Sequence, residues 1–233
     1  MNDYGTIMAS LRALGNEEKS RHLSGFFKTG EGQYGYGDKF LGLPVPLTRS
    51  VAKRHKDAPL GVAEELLHSE WHEARLCALL ILVEKMKRAK ADDAKLIVDM
   101  YLANTAHINN WDLVDLSAPY VVGKYLLDKP RNVLYRLASS PLLWDNRIAM
   151  VSTYAFIKSN ELDDTFSLAA LLLGHKHDLM HKAVGWMLRE AGKRDMARLR
   201  AFVDGHWHEM PRTMLRYAIE KYPEDERRSV LRR

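Results

Sequence analysis

The sequence predicts an all-α fold, an α-solenoid of HEAT-like, armadillo-type helical repeats with a concave basic face. Three observations lead there. Alternating Val/Ile/Thr runs bounded by turns, the mark of half-buried strands, are absent. Apolar residues instead recur at spacings of three and four through 70–88 (EWHEARLCALLILVEKMKR), 144–158 (WDNRIAMVSTYAFIK) and 177–193 (HDLMHKAVGWMLREAGK). Arg75, Asp115, Arg147, Lys182 and Arg212 each lie near the start of such a stretch, at separations of 40, 32, 35 and 30 residues. A charge followed by an apolar helix at that interval describes stacked helix pairs. One helix of each pair lines a common face, and successive charges converge on it.

The boundaries follow from punctuation: KDAP at 56–59, DKPRN at 128–132, SSP at 139–141, LGHKHD at 173–178, EMPR at 209–212 and YPED at 222–225. Pro and Gly stop helices at such points, one lacking an N–H and the other costing backbone entropy. Helices of roughly 10–18 residues with short connections result. No linker or low-complexity tract interrupts them, so residues 1–233 read as a single HEAT-like repeat domain.

Composition narrows the function classes. Hydrophobic residues make up 46% of the chain and charged residues 28%, as in a soluble globular protein. No stretch approaches 18 uncharged apolar residues, so no membrane span is expected. The N-terminus MNDYGTIMASLRALGNEEKS carries an acidic residue where a signal peptide has basic ones, and a cytoplasmic location is expected. The single Cys77, within ARLCALLIL, excludes an internal disulfide framework and a Cys-rich zinc site and reads as a buried small hydrophobe. The net charge of +5 is uneven: residues 1–120 carry one more acid than base, and residues 121–233 six more bases than acids. That asymmetry favours a polyanion, nucleic acid first.

Several stretches imitate motifs. GEGQYG at 30–35 matches G-x-G-x-x-G, but neither HLSGFFKT before it nor YGDKFLGLPVP after it supplies the strand and helix that dinucleotide binding requires. It reads as a Gly/Tyr-rich loop that covers the core, or that touches a ligand through Tyr34, Tyr36 and Lys39. His68 and His72, like His177 and His181, lie four residues apart, yet neither pair has an evident third ligand, and HSEWH lacks the Glu of a zinc-protease helix. These histidines read as solvated or capping residues, and no metal or cofactor is expected.

NNWDLVDLSAPYVV, residues 109–122, poses a harder question. Asn110 suits an N-cap, and Asp112 in the first turn complements the helix dipole. Asp115 lies beyond that turn and has no such reason to be there. It shares a helical row with Trp111, Ala118 and Val122. Pro119 withdraws the N–H that the Asp115 carbonyl would ordinarily meet, which predicts a kink. The residues alone leave two accounts of Asp115 open: a structural ion pair with a base of the next repeat, Arg147 holding the matching slot, or a functional carboxylate. Trp186, in HKAVGWMLRE, adds a second indole at the start of a later helix.

Together these residues resemble the AlkD-type DNA glycosylases, a family built from HEAT-like repeats. The likeness runs through NNWDLVD, LLWDNRIAM and HKAVGWMLREAGK, and more loosely through most of the chain from about residue 40. The resemblance implies that Trp111 and Trp186 contact the DNA backbone beside the lesion. It further implies that Asp115 is the catalytic carboxylate and that Arg147 helps to hold the DNA; Lys182, Arg189 and Arg212 are expected as further cations of the DNA-binding face. The implied partner is double-stranded DNA with alkylated or distorted bases, bound by a monomer that is nucleoid-associated when on DNA.

The chemistry suits one carboxylate. A purine alkylated at N3 or N7 is cationic and already a good leaving group, so no strong general acid is needed. Its departure leaves an oxocarbenium-like sugar, as in glycosidases. A fixed carboxylate stabilises that charge and orients water toward the anomeric carbon, while indole faces attract the same cation. The resemblance also implies that the lesion stays largely stacked, without the full flipping usual among glycosylases. Two rivals stand: a non-catalytic binder of distorted or branched DNA, and a helical-repeat scaffold for protein partners.

Overall fold

The computed structural model describes residues 2–232. Among the described residues it is all-helical, with fourteen α-helices and no strand beyond an isolated bridge between Lys39 and Trp71. Among the described residues no helix is long and apolar enough to cross a membrane. The chain forms two compact units, the first running to Tyr125 and the second beginning at Leu126.

The first unit holds α1 (Tyr4–Arg12), α2 (Glu17–Phe26), α3 (Val45–Arg54), α4 (Leu60–Leu67), α5 (His72–Met86), α6 (Ala91–Ala103) and α7 (Trp111–Asp115). Helix α5 is its axis: α3 and α4 pack on it, with α1, α6 and α7 beside them. Leu76, Leu79, Leu80, Ile81 and Leu82 are all buried, leaving α5 without a polar stripe. That is the pattern of a helix enclosed on every side, and each such side chain contributes about 1.5–3 kcal/mol by leaving water. The expected helix over 70–88 is therefore present.

A loop of 18 residues, 27–44, crosses from α2 to α3 and contains the GEGQYG stretch. The element before it is a helix, so dinucleotide binding is excluded structurally as well. Gly42 holds the loop against α2. Its φ is +86°, and a Cβ there would lie 2.0 Å from the Asn16 carbonyl oxygen. Gly42→Ala is expected to destabilise the chain by about 1–3 kcal/mol, the cost of forcing a side chain into a left-handed site, read as a lowered urea midpoint. An unchanged midpoint would remove Gly42 as an anchor.

The second unit holds α8 (Asn132–Ala138), α9 (Leu143–Lys158), α10 (Asp163–Leu171), α11 (Asp178–Gly192), α12 (Met196–His206), α13 (Arg212–Ala218) and α14 (Glu224–Arg232). The helices pack as sequential pairs, α8 with α9 and α10 with α11, while α9, α11 and α13 pack on one another in succession. This is the alternation of outer and inner helices that the repeat predicted. Gly185 allows α11 to approach α13 closely: a Cβ there would lie 2.5 Å from the Met214 carbonyl oxygen on α13. The expected helices over 144–158 and 177–193 appear as α9 and α11.

Candidate active site

Helix α7 is five residues long, shorter than its apolar sequence suggests. The Asn110 side chain caps it, accepting from the Trp111 N–H at 2.9 Å, as expected. It ends at Asp115. The chain then turns through Leu116–Ala118 into a π-helical turn, Pro119–Gly123, where the Gly123 N–H reaches back to the Ala118 carbonyl. Pro119 thus breaks the regular ladder where predicted, and more completely than by a kink. The turn is fixed from within by Ser117, whose hydroxyl donates to the Leu113 carbonyl at 2.5 Å and lies 2.8 Å from the buried Tyr101 hydroxyl. Asp115 is left half-buried at the end of the helix.

Around it the first unit encloses a cavity of about 330 Å³, whose lining includes Phe26, Phe27, Phe40, Trp111, Asp112 and Asp115. Its wall is aromatic. Phe27 stacks on Trp111 with centroids 5.4 Å apart and on Phe40 at 5.1 Å, and Phe40 stacks in turn on His72 at 4.6 Å. Phe26 stands edge-on to Trp111 at 6.1 Å and is 55% exposed. Such offset and edge contacts each add about 0.5–1.5 kcal/mol to area burial.

Behind the wall lies a buried ionic cluster. His72, on the first turn of α5, donates from Nδ1 to Asp38 at 3.1 Å and from Nε2 to Asp112 at 2.9 Å. Arg75 Nη2 donates to the other Asp38 oxygen at 2.6 Å. Burial works against a charged imidazole here, but the charge and hydrogen bond of Asp112 and the hydrogen bond to Asp38 outweigh it and lift His72 from 6.5 to about 9. Burial likewise opposes the charge on Asp38, and the hydrogen bond from His72 with the adjoining cations holds its carboxyl below the usual range. Glu73 accepts from the backbone N–H groups of Leu41, Gly42 and Leu43 at 2.8–3.0 Å. It thereby ties the 27–44 loop to α5.

Two sequence readings are corrected here. His72 is neither solvated nor capping: it is 1% exposed and shared by two carboxylates. Asp112 is more than a first-turn dipole partner, being 4% exposed and bound to His72. His177 does cap α11, accepting from the Leu179 N–H, as read. Of the Gly/Tyr-rich loop, the covering role holds, because Asp38 and Phe40 are buried in the unit while Lys39 pairs at the surface with Glu70.

In the second unit, Arg147 is 5% exposed on α9 and donates from Nη1 to the Leu179 carbonyl at 2.5 Å. Trp186 is half-buried on α11, 6.0 Å from the Tyr154 ring. Lys182 pairs with Asp178 at 2.7 Å, and Arg189 with Glu190 and Glu220. Arg212 is exposed and donates to the Leu231 carbonyl. Trp111 and Asp115 share one cavity lining within the first unit; Arg147, Trp186, Lys182, Arg189 and Arg212 belong to the second. Phe26, Phe27, Phe40, Asp38 and His72 were not singled out from sequence as site residues. The only signal was the FF pair beside the loop, which any amphipathic helix end could carry.

Fold and site define an all-helical protein of sequentially paired helices, with a half-buried carboxylate beside an aromatic cavity. The chain belongs to the DNA alkylation repair enzyme family, whose model matches residues 7–222. A solved structure described as a predicted DNA alkylation repair enzyme from Enterococcus faecalis is similar over 90% of this chain and 97% of its own, with a TM-score of 0.69 and 15% identity. At that identity the likeness establishes the shared fold. No curated protein sequence matches the chain.

Proposed function

We propose that this chain is a DNA glycosylase that releases purines alkylated at N3 or N7 from duplex DNA. The observation that carries the reading is Asp115, half-buried on the lining of an aromatic cavity beside Trp111, in a chain of the alkylation repair family. Water attacks the anomeric carbon as the C–N bond breaks. The bonding pair neutralises the cationic purine, and the water proton leaves toward Asp115 and solvent. Asp115 stabilises the sugar's developing charge, and the base remains largely stacked while the backbone is gripped.

Trp111 and Trp186 support the backbone beside the lesion. Lys182, Arg189 and Arg212 supply phosphate contacts. Arg147, buried and bonded to the Leu179 carbonyl, serves more to order its surroundings than to offer a free charge.

The experiment is incubation with methylated duplex DNA and chromatography of the supernatant. Free 3-methyladenine or 7-methylguanine is expected. Duplex binding without release would favour the non-catalytic reading, and neither would favour a protein scaffold. Binding should also weaken steeply with salt, each phosphate contact contributing about 0.9 to the slope of log K against log salt, and Lys182→Ala should lower that slope. A slope unchanged by that substitution would remove Lys182 from the interface.

A further inference from the structure

The turn between α10 and α11 gathers three histidines that base release does not use. His175 and His177 are half-buried, with the exposed Lys176 between them, and His181 follows on the first turn of α11. Hydrogen bonds set the protonation state of the first two. His175 Nδ1 accepts from the His177 N–H at 3.0 Å, and His177 Nδ1 accepts from the Leu179 N–H at 3.1 Å. A ring nitrogen that accepts carries no proton, so each ring is neutral with its proton on Nε2. His175 Nε2 then donates to Asn146 Oδ1 at 3.1 Å.

This run of bonds is tied into the second unit at both ends. Asn146, 4% exposed at the start of α9, donates to the carbonyls of Leu137, Ala138 and Ser140, at and just beyond the end of α8. His181 Nε2 donates to the His175 carbonyl at 2.5 Å. Leu179, whose N–H is held by His177, offers its carbonyl to Arg147 of α9. The same few residues therefore cap α11 and seat Arg147.

The surroundings keep the rings neutral. Burial lowers the proton affinity of both. His177 and His181 act the same way on His175, as do His181 and Arg147 on His177. Asp178 opposes this at His177, but its carboxylate is shared with Lys182 at 2.7 Å and with the Thr213 side chain of α13.

We propose that His175 and His177 form an acid-sensitive latch on the N-terminus of α11, the helix that carries Lys182, Trp186 and Arg189. A proton on Nδ1 of either ring turns an acceptor into a donor that faces an N–H, and the cap opens. With both folded pKa values below 6.5, the contribution of the latch is complete above pH 6.5 and is lost as pH falls through the lowered values. His72 is shifted the opposite way, to about 9, and stays charged throughout that range. Acid thus opens α11 while leaving the buried cluster of the first unit as it was. The latch works whether or not the chain releases bases.

The test is hydrogen exchange of the full chain by NMR at about pH 7.5 and about pH 5, read as protection factors so that the intrinsic pH dependence of exchange cancels. Protection of the His177 and Leu179 amides is expected to fall about tenfold at the lower pH, the scale of losing helix-capping bonds. Leu80 of α5 should lose none. In the double variant His175→Asn/His177→Asn, each side-chain oxygen can accept from the N–H two residues on and does not titrate. Its protection should therefore be the same at both pH values. Imidazole nitrogen shifts of the native chain give a second reading, free of any folding defect in the variant: both rings should carry their proton on Nε2 at the higher pH.

Equal protection of the Leu179 amide at the two pH values in the native chain would overturn the proposal. So would an acid loss that persists in the double variant, a parallel loss at Leu80, or a proton on Nδ1 of either ring at the higher pH.

Discussion

Asp115→Asn is expected to release methylpurine from methylated duplex DNA about two to three orders of magnitude more slowly than the native chain, the scale for losing one preorganised electrostatic contact. The substitution keeps the side chain's shape and one oxygen acceptor while removing its charge. Only a step in which positive charge develops should be sensitive to that difference. In the proposed reaction the alkylated purine would depart without a proton donor, so the carboxylate would act on the sugar alone. Its position supports that role: Asp115 ends a five-residue helix, with Pro119 supplying no N–H to its carbonyl. The side chain is half-buried on the cavity lining, where water screens a charge less than at an open surface. Duplex affinity should persist, because the proposed phosphate contacts are made by other residues. Single-turnover base release and fluorescence anisotropy on the same variant separate the two quantities. Native-rate excision by the variant would take Asp115 out of the mechanism.

What could be read in the sequence was what helix periodicity encodes. Helices α5, α9 and α11 match the segments whose apolar spacing marked them, α5 and α9 because they are enclosed through most of their length and α11 because one long face is buried, each over enough turns to show it. Helix α7 looked like the start of another. Its apolar residues fit a helix equally well whether or not the hydrogen-bond ladder survives Pro119, so the π-helical turn was visible only as a predicted break. Asp115, Trp111, Arg147 and Trp186 were singled out through resemblance to a family, and the chain belongs to that family.

The pocket was illegible for a different reason. His72 meets Asp38 across 34 residues and Asp112 across 40, and no local spacing records a contact of that range. Asp112 was further masked by having a sufficient local explanation as a first-turn acid. The boundary between the units, at Tyr125 and Leu126, falls within continuous helical turns just ahead of DKPRN, a stretch that in sequence reads as one more break between helices and carries nothing to distinguish a break between units.

Asp38→Ala is expected to cost about 3–5 kcal/mol of folding stability, the penalty for removing one partner from a buried ion pair and leaving the others uncompensated. The carboxylate is 4% exposed on its side chain and faces both His72 and Arg75, so its loss leaves Arg75 without its carboxylate partner and His72 with Asp112 alone in a low-dielectric interior. The same cluster gives the native chain a pH signature. His72 has its folded pKa raised from 6.5 to about 9. Its contribution is fully present below pH 6.5, where folded and unfolded chains are both protonated, and is lost as pH rises toward 9. Asp38 has its folded pKa depressed below 3.8, so its contribution is present above that value and lost as pH falls through the lowered one. Without Asp38 the His72 imidazolium keeps only Asp112, and the alkaline loss should begin at lower pH. Urea denaturation across the pH range, with the His72 ring protons followed by NMR, measures both effects. A His72 titration near 6.5 in the native chain, or an Asp38→Ala variant of native stability, would show that the cluster does not hold this unit together. The double variant Asp38→Ala/Arg75→Met should recover part of the loss, because it withdraws a stranded charge along with its partner.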